Sequence, residues 1–173
     1  MEESFFVEKE VAVSAEKAWK IISLPAGLTK WHPFMEKHTT DCWNGIGSKD
    51  HLTYYSGFEY DREVVKWIDG VGYDLKVTDK KKHDNTSIWR ITPIDSQRCI
   101  LRITGRVDFI KKFPFVVRWA LLKFKMKPVF SQYLFQILEG FAYYAETGKQ
   151  TKRNQFGPHP IMSPENKNQT NKK

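Results

Sequence analysis

The chain has 173 residues, 14% of them aromatic, and a formal charge of +8, a size that suits one domain able to bury its core without metal or disulfide support. The charge is uneven: residues 108–128 hold six Lys/Arg against Asp108 and residues 149–173 hold six against Glu165, so the remaining body is close to neutral. A nucleic-acid binder is expected to carry a basic stripe across its folded body, and a membrane-spanning helix needs about 18 consecutive apolar residues; the sequence offers neither.

Residues 5–13 alternate as a strand, with Phe5, Val7, Val11 and Val13 on one face and Glu8 and Glu10 on the other. Ser14 is an N-cap for a short helix over 15–23, which Pro25 and Gly27 end, and Trp31-His32-Pro33 forces extended chain after a second short helical stretch. Strands are then predicted over 34–43, 51–55, 59–67, 73–79, 87–91 and 98–108, separated by Asn-Gly, Ser-Gly, Asp-Gly and Asp-Ser turns. Such short connections imply antiparallel hairpins. From 128 to 148 one helix is predicted: Phe130, Leu134, Ile137, Leu138, Phe141, Ala142 and Ala145 recur at three- and four-residue steps. The fold class is therefore α+β, a strongly curved seven-stranded antiparallel sheet wrapped around a long C-terminal helix, with two short helices between strands 1 and 2. Residues 1–157 form the single domain, and the Pro/Asn/Lys-rich 158–173 is expected to be a disordered polar tail.

A sheet that grips one helix leaves room for a cavity, and the aromatic content suits its walls. Trp31, Tyr54, Tyr73 and Trp89, with Leu134, Ile137, Leu138 and Phe141 from the helix, are the candidate ligand contacts. Tyr133 and Phe135 flank the helix stripe. An inward arginine among Arg62, Arg90, Arg102 and Arg106 would hold a carboxylate or phenolate, but Arg98, Arg102 and Arg106 share the face opposite Cys99, Leu101, Ile103, Gly105 and Val107 and are expected to face solvent. Acid–base candidates are His32, His51 and Glu63, with His32 packing beside Trp31 at the rim and His51 read as a surface strand residue. His32, Glu36 and His38 share a parity, but Pro33 interrupts it and the spacing matches no metal motif, so no metal or cofactor is expected. Cys42 and Cys99 have no CxxC partner and read as free thiols; with a start, Met-Glu-Glu-Ser, that lacks the character of a secretion signal, a cytoplasmic location is predicted.

The segment 111–127 stands apart. Phe113, Phe115, Val116, Val117, Trp119, Leu121, Leu122, Phe124 and Met126 interleave with Lys111, Lys112, Arg118, Lys123, Lys125 and Lys127. Pro114 is placed to begin a helix and Pro128 to interrupt it. Three readings stand: a pre-helix packed on the sheet mouth with snorkelling lysines, a membrane-surface helix, or a homodimer surface.

The order of elements resembles the helix-grip fold of the START / Bet v 1-like superfamily, SRPBCC. Val11-Ala12-Val13-Ser14-Ala15-Glu16-Lys17-Ala18-Trp19 is similar to that family's first strand and helix, and Leu28-Thr29-Lys30-Trp31-His32-Pro33 to its step into the second strand. Leu138-Glu139-Gly140-Phe141 through Glu146-Thr147-Gly148 to Arg153-Asn154-Gln155-Phe156-Gly157 resembles the end of bacterial polyketide cyclase/dehydrase-like members. The resemblance implies an elongated apolar cavity for a lipid, sterol-like or aromatic polyketide-like molecule, with binding as the first expectation. A cyclase or dehydratase using one inward acid–base residue is the alternative, and peripheral lipid handling through 111–127 a third.

Overall fold

The computed structural model describes residues 4–108 and 113–165. Strands β1 (Ser4–Val11), β2 (Met35–Thr40), β3 (Lys49–Tyr54), β4 (Glu59–Ile68), β5 (Gly72–Asp79), β6 (Asp84–Pro93) and β7 (Cys99–Arg106) form one antiparallel sheet in the order β1-β7-β6-β5-β4-β3-β2. Every neighbour from β2 to β7 is consecutive in sequence, as the short turns require. The single long-range pairing closes β1 against β7, with Ser4 opposite Arg106 and Val11 opposite Cys99. The strands begin and end within a few residues of the sequence reading. The largest difference is β6, which starts at Asp84 because the residues before 87 pair with β5.

Helices α1 (Ala15–Ile22) and α2 (Leu28–Trp31) connect β1 to β2. Ser14 caps α1, its Oγ accepting the Lys17 N–H at 3.2 Å. After α2 the chain turns extended at His32, before Pro33, where the proline ring disfavours helix. Helix α4 (Lys127–Thr147) crosses the concave face and ends on Gly148, whose φ of 71° is the left-handed conformation a helix C-terminus often needs. Leu134, Ile137, Leu138, Phe141, Ala142 and Ala145 are buried against the inner faces of the strands, each large one contributing about 1.5–3 kcal/mol by leaving water. Gly140 lets α4 approach the 31–33 segment closely: a Cβ there would stand 2.3 Å from the Trp31 carbonyl oxygen and 2.9 Å from Pro33 Cδ.

Two expectations need correction. Pro128 does not interrupt the helix. Helix α3 (Phe115–Ala120) runs through a π-helical stretch, Leu121–Met126, straight into α4; the wider turn accommodates a proline that has no N–H to give to the preceding turn. And 158–165 are not part of a free tail. His159 and Ser163 are fully buried and paired by an isolated bridge, and the Gln136 amide donates to the carbonyls of Phe156 and Gly157 at 3.0 and 3.1 Å. Residues 166–173 lie outside those described, as do Lys111 and Lys112.

Candidate functional site

A cavity of ≈ 180 Å³ lies between the inner face of the sheet and the first turns of α4. Its apolar wall comes from Phe5, Leu28, Leu52, Val77, Trp89, Val107, Phe130, Leu134, Ile137 and Met162. At one end the lining residues are Asp79, Asn85, Thr86 and Arg106, half-buried or exposed, so the cavity meets solvent beside the β5–β6 turn. Met162, delivered by the folded-back 149–165 segment, adds to the wall.

Five polar side chains from four elements reach this space. Period-2 alternation sends Tyr54 inward from β3 and Tyr60 and Arg62 inward from β4, α4 brings Tyr133, and the link after α2 brings His32. The Tyr54 and Tyr133 hydroxyls are 2.5 Å apart, and Tyr133 Oη lies 3.4 Å from His32 Nε2. The Phe34 N–H donates to His32 Nδ1 at 3.2 Å. A backbone N–H can only donate, so the ring proton of the neutral histidine sits on Nε2 and points to Tyr133. Burial, reinforced by the charge of Arg62, holds the His32 imidazole at about 3. Burial pushes the Tyr54 phenol up to about 12 and Tyr133 well above the usual phenol range. At neutral pH the cluster is therefore an uncharged imidazole and two intact hydroxyls. Three donors (Nε2–H and two O–H) serve two contacts, so among the described residues one phenolic O–H is left to meet a ligand.

Behind this cluster sits a buried ion pair. Arg62 donates from Nε and Nη2 to the two oxygens of Asp50, at 2.9 and 2.5 Å. His38 Nε2 donates to Asp50 Oδ2 at 2.9 Å, while His38 Nδ1 accepts the Leu28 N–H at 3.2 Å. Burial works against the Asp50 charge, but the Arg62 guanidinium outweighs it and holds the carboxyl at about 2. Arg62 also stacks over Trp43, 5.3 Å from the ring centre. Arg62 is thus inward but already neutralised, so it orders the cavity floor and does not need a ligand carboxylate.

Of the residues singled out in sequence, the structure gathers Tyr54, Trp89, Leu134 and Ile137 on the cavity wall, with His32. His32 is not at the rim; only 5% of it is exposed. Trp31, Tyr73, Leu138 and Phe141 are packed into the solid core beside the cavity, Trp31 edge-on to Trp89 and Phe141, and Tyr73 donating to the Ile22 carbonyl at 3.2 Å. His51 and Glu63 point away from the cavity. They line a mixed-charge cleft on the outer face, His51 Nδ1 at 2.8 Å from Asp61 and Glu63 3.6 Å from Lys49. Their parity, opposite to that of Leu52 and Val64, puts them outside. Among the described residues no three His, Cys, Asp or Glu side chains are placed to share a metal ion. Glu36 is exposed across a bulge from His38, which Asp50 already engages. Arg98 and Arg102 pair with Glu10 and Glu8 on the solvent face of the sheet, as the alternation requires. The apolar stripe alone puts Tyr133 at its flank. Its spacing, three after Phe130 and four before Ile137, is the signal that puts it on the cavity side.

A curved antiparallel sheet closed over an apolar cavity by one long helix defines a helix-grip protein of the SRPBCC kind. Among its families, the chain belongs to the one described as polyketide cyclase / dehydrase and lipid transport, whose model matches residues 3–146. No curated protein matches the sequence. Solved structures share the fold at low identity. DynU16, a putative protein in the dynemicin biosynthetic locus, superposes with a TM-score of 0.63 at 14% identity over 89% of this chain; the chain spans only 52% of DynU16. Truncated norcoclaurine synthase from Thalictrum flavum gives 0.57 at 17% identity, over 83% of this chain and 93% of that one. XoxI from Bacillus cereus gives 0.57 at 15%, over 82% and 96%.

Proposed function

We propose that the protein binds a small, neutral, largely apolar molecule carrying one hydrogen-bond acceptor, a ketone being the simplest. The observation that carries this reading is the Tyr54–Tyr133–His32 cluster in an otherwise apolar cavity. The walls supply affinity through burial, and the spare phenolic O–H orients the acceptor. A volume of ≈ 180 Å³ equals about six waters of liquid, room for about one aromatic ring, so one ring fits inside without rearrangement and a second lies in the solvent-open end. The family description, which joins cyclases, dehydrases and lipid transport, is compatible with such a ligand. Binding takes precedence over catalysis because His32 is a poor base: its free lone pair is committed to the Phe34 N–H, and an imidazole held at about 3 accepts few protons near neutrality.

The test uses 2-acetylnaphthalene, a two-ring ketone, followed by quenching of tryptophan fluorescence, since Trp89 lines the cavity. Saturable one-to-one binding is expected, abolished in Ile137→Trp, where the larger ring fills the space. Equal quenching in the wild type and the filled variant sinks the proposal.

A cyclase or dehydratase role is a second reading, favoured by the same hydroxyl pair, which would polarise a carbonyl as charge develops on its oxygen. Asp79 is the carboxylate on the cavity lining and the group to which a proton would pass, although it is held by the N–H groups of Lys81 and His83 and by the His83 ring. Loss of turnover in both Tyr54→Phe and Asp79→Asn, with ligand binding retained in the latter, would support it.

A further inference from the structure

The function proposed for the cavity leaves one surface unexplained. Helix α3 buries none of its residues. Phe115, Val116, Val117, Trp119 and Phe124 stand in solvent, Val116 at 72% and Phe124 at 66% exposure. A pre-helix packed on the sheet mouth would hide these side chains, so that expectation is overturned. Lone exposed apolar residues need no explanation, but a contiguous aromatic run does. Two of the basic side chains lie across the rings instead of reaching away from them: Lys123 Nζ is 4.9 Å from the Trp119 ring centre and 5.6 Å from Phe124, and the Arg118 guanidinium is 5.8 Å from Phe115.

Two further observations select the partner. Between Asp108 and Glu139 the sequence carries six Lys/Arg and no Asp or Glu. Two copies facing each other through this surface would oppose like charges, whereas anionic headgroups above an apolar layer complement both the cations and the rings. Next to the exposed rings is an apolar groove of ≈ 490 Å³ formed by Phe124, Met126, Pro128, Val129, Phe130 and Ile161. Phe130 lines this groove on one side and the internal cavity on the other, so a molecule leaving the apolar layer meets the cavity wall one side chain further in. Among the described residues no helix is long and apolar enough to cross a membrane; contact is at the surface only.

We infer that residues 113–127 form a docking surface for an anionic bilayer, set beside the cavity so that an apolar ligand can pass between lipid and protein. The full chain is mixed with phosphatidylcholine vesicles with or without roughly one-third phosphatidylglycerol, and bound protein is measured by co-sedimentation. At low salt, binding to the anionic vesicles is expected to exceed binding to the neutral ones at least tenfold and to weaken in high salt. Lys123→Gln and Lys127→Gln are each expected to weaken it about fivefold, and Phe115→Ser with Phe124→Ser to weaken it tenfold or more. Because these side chains are exposed, circular dichroism and 2-acetylnaphthalene binding stay as in the wild type. That second readout separates the two ideas: vesicle binding can fail while ketone binding holds, and the reverse. No vesicle binding at low salt overturns the inference. So does binding indifferent to these substitutions, or self-association in sedimentation velocity that Phe124→Ser breaks while vesicles stay unbound.

Discussion

The contacts that decide this site are made by single side chains whose chemistry depends on the groups around them. Tyr54 and Tyr133 are intact phenols at neutral pH, and burial extends that state beyond the ordinary phenol range. Removing one hydroxyl leaves the cavity shape but takes away either the donor that meets the ligand or the partner that holds that donor in place, so Tyr54→Phe and Tyr133→Phe are each expected to weaken ketone binding about three- to tenfold, the worth of one net hydrogen bond; titration against 2-acetylnaphthalene measures it. Asp50 and Arg62 behave differently. Asp50→Ala strands a buried guanidinium and is expected to cost about 3–5 kcal/mol, whereas Asp50→Leu with Arg62→Met removes both charges and recovers most of that loss. Urea denaturation of the three proteins compares them directly. The inward position of Arg62 is a result of the fold, in which it shares the buried side of β4 with Val64. That Asp50 would meet it across the β3–β4 pair follows from register, Asp50 standing opposite Arg62, and register is set by turns whose bulges a sequence does not declare.

The elements were the most legible level. Hairpin turns and a three- and four-residue apolar stripe specify strands and helix through local geometry alone. Where α4 sits against its neighbours is a matter of contact. Gly140→Ala pushes a methyl into the Trp31 carbonyl and Pro33, so the helix or the 31–33 link must shift; the expected cost is about 1–3 kcal/mol, as for other overpacked sites, read from the urea midpoint. A loss under a few tenths would mean that this approach is looser than the geometry gives. The continuation of α4 backward through a π stretch to Phe115 was hidden by Pro128, because the rule that proline breaks helices assumes four-residue hydrogen bonding throughout. The polar composition of the last segment likewise concealed its docking: His159 is buried through bonds to backbone, donating from Nε2 to the Val129 carbonyl and accepting the Met162 N–H on Nδ1, and no periodicity announces that.

For the whole molecule, the buried histidines set the response to acid. An unfolded His32 takes up a proton below its ordinary 6.5, while the folded ring resists until about 3. The unfolded state therefore binds more protons across that window, and stability falls as pH drops through it. His159, lowered by its own burial, acts in the same sense. Asp50, at about 2 against an ordinary 3.8, adds a further loss only below about 4. Denaturation midpoints should thus decline from pH 6.5 downward, and His32→Gln should flatten the upper part of that slope. An unchanged slope in the variant would show that His32 is not the group responsible.

Sequence by itself determined the element order, the antiparallel sheet, the gripping helix and the family, because each rests on local periodicity, turn chemistry or residue strings. It also put Tyr54, Trp89, Leu134 and Ile137 among the candidate ligand contacts. Only the tertiary structure separated cavity wall from solid core within that set, drawing Trp31, Tyr73, Leu138 and Phe141 into contact with protein while Tyr133, His32 and Met162 closed around the space. The physical reason is that a void exists only where surfaces from distant parts of the chain fail to meet. That failure depends on sheet curvature, helix approach at Gly140 and the return of 149–165, and no single stretch of sequence encodes any of them.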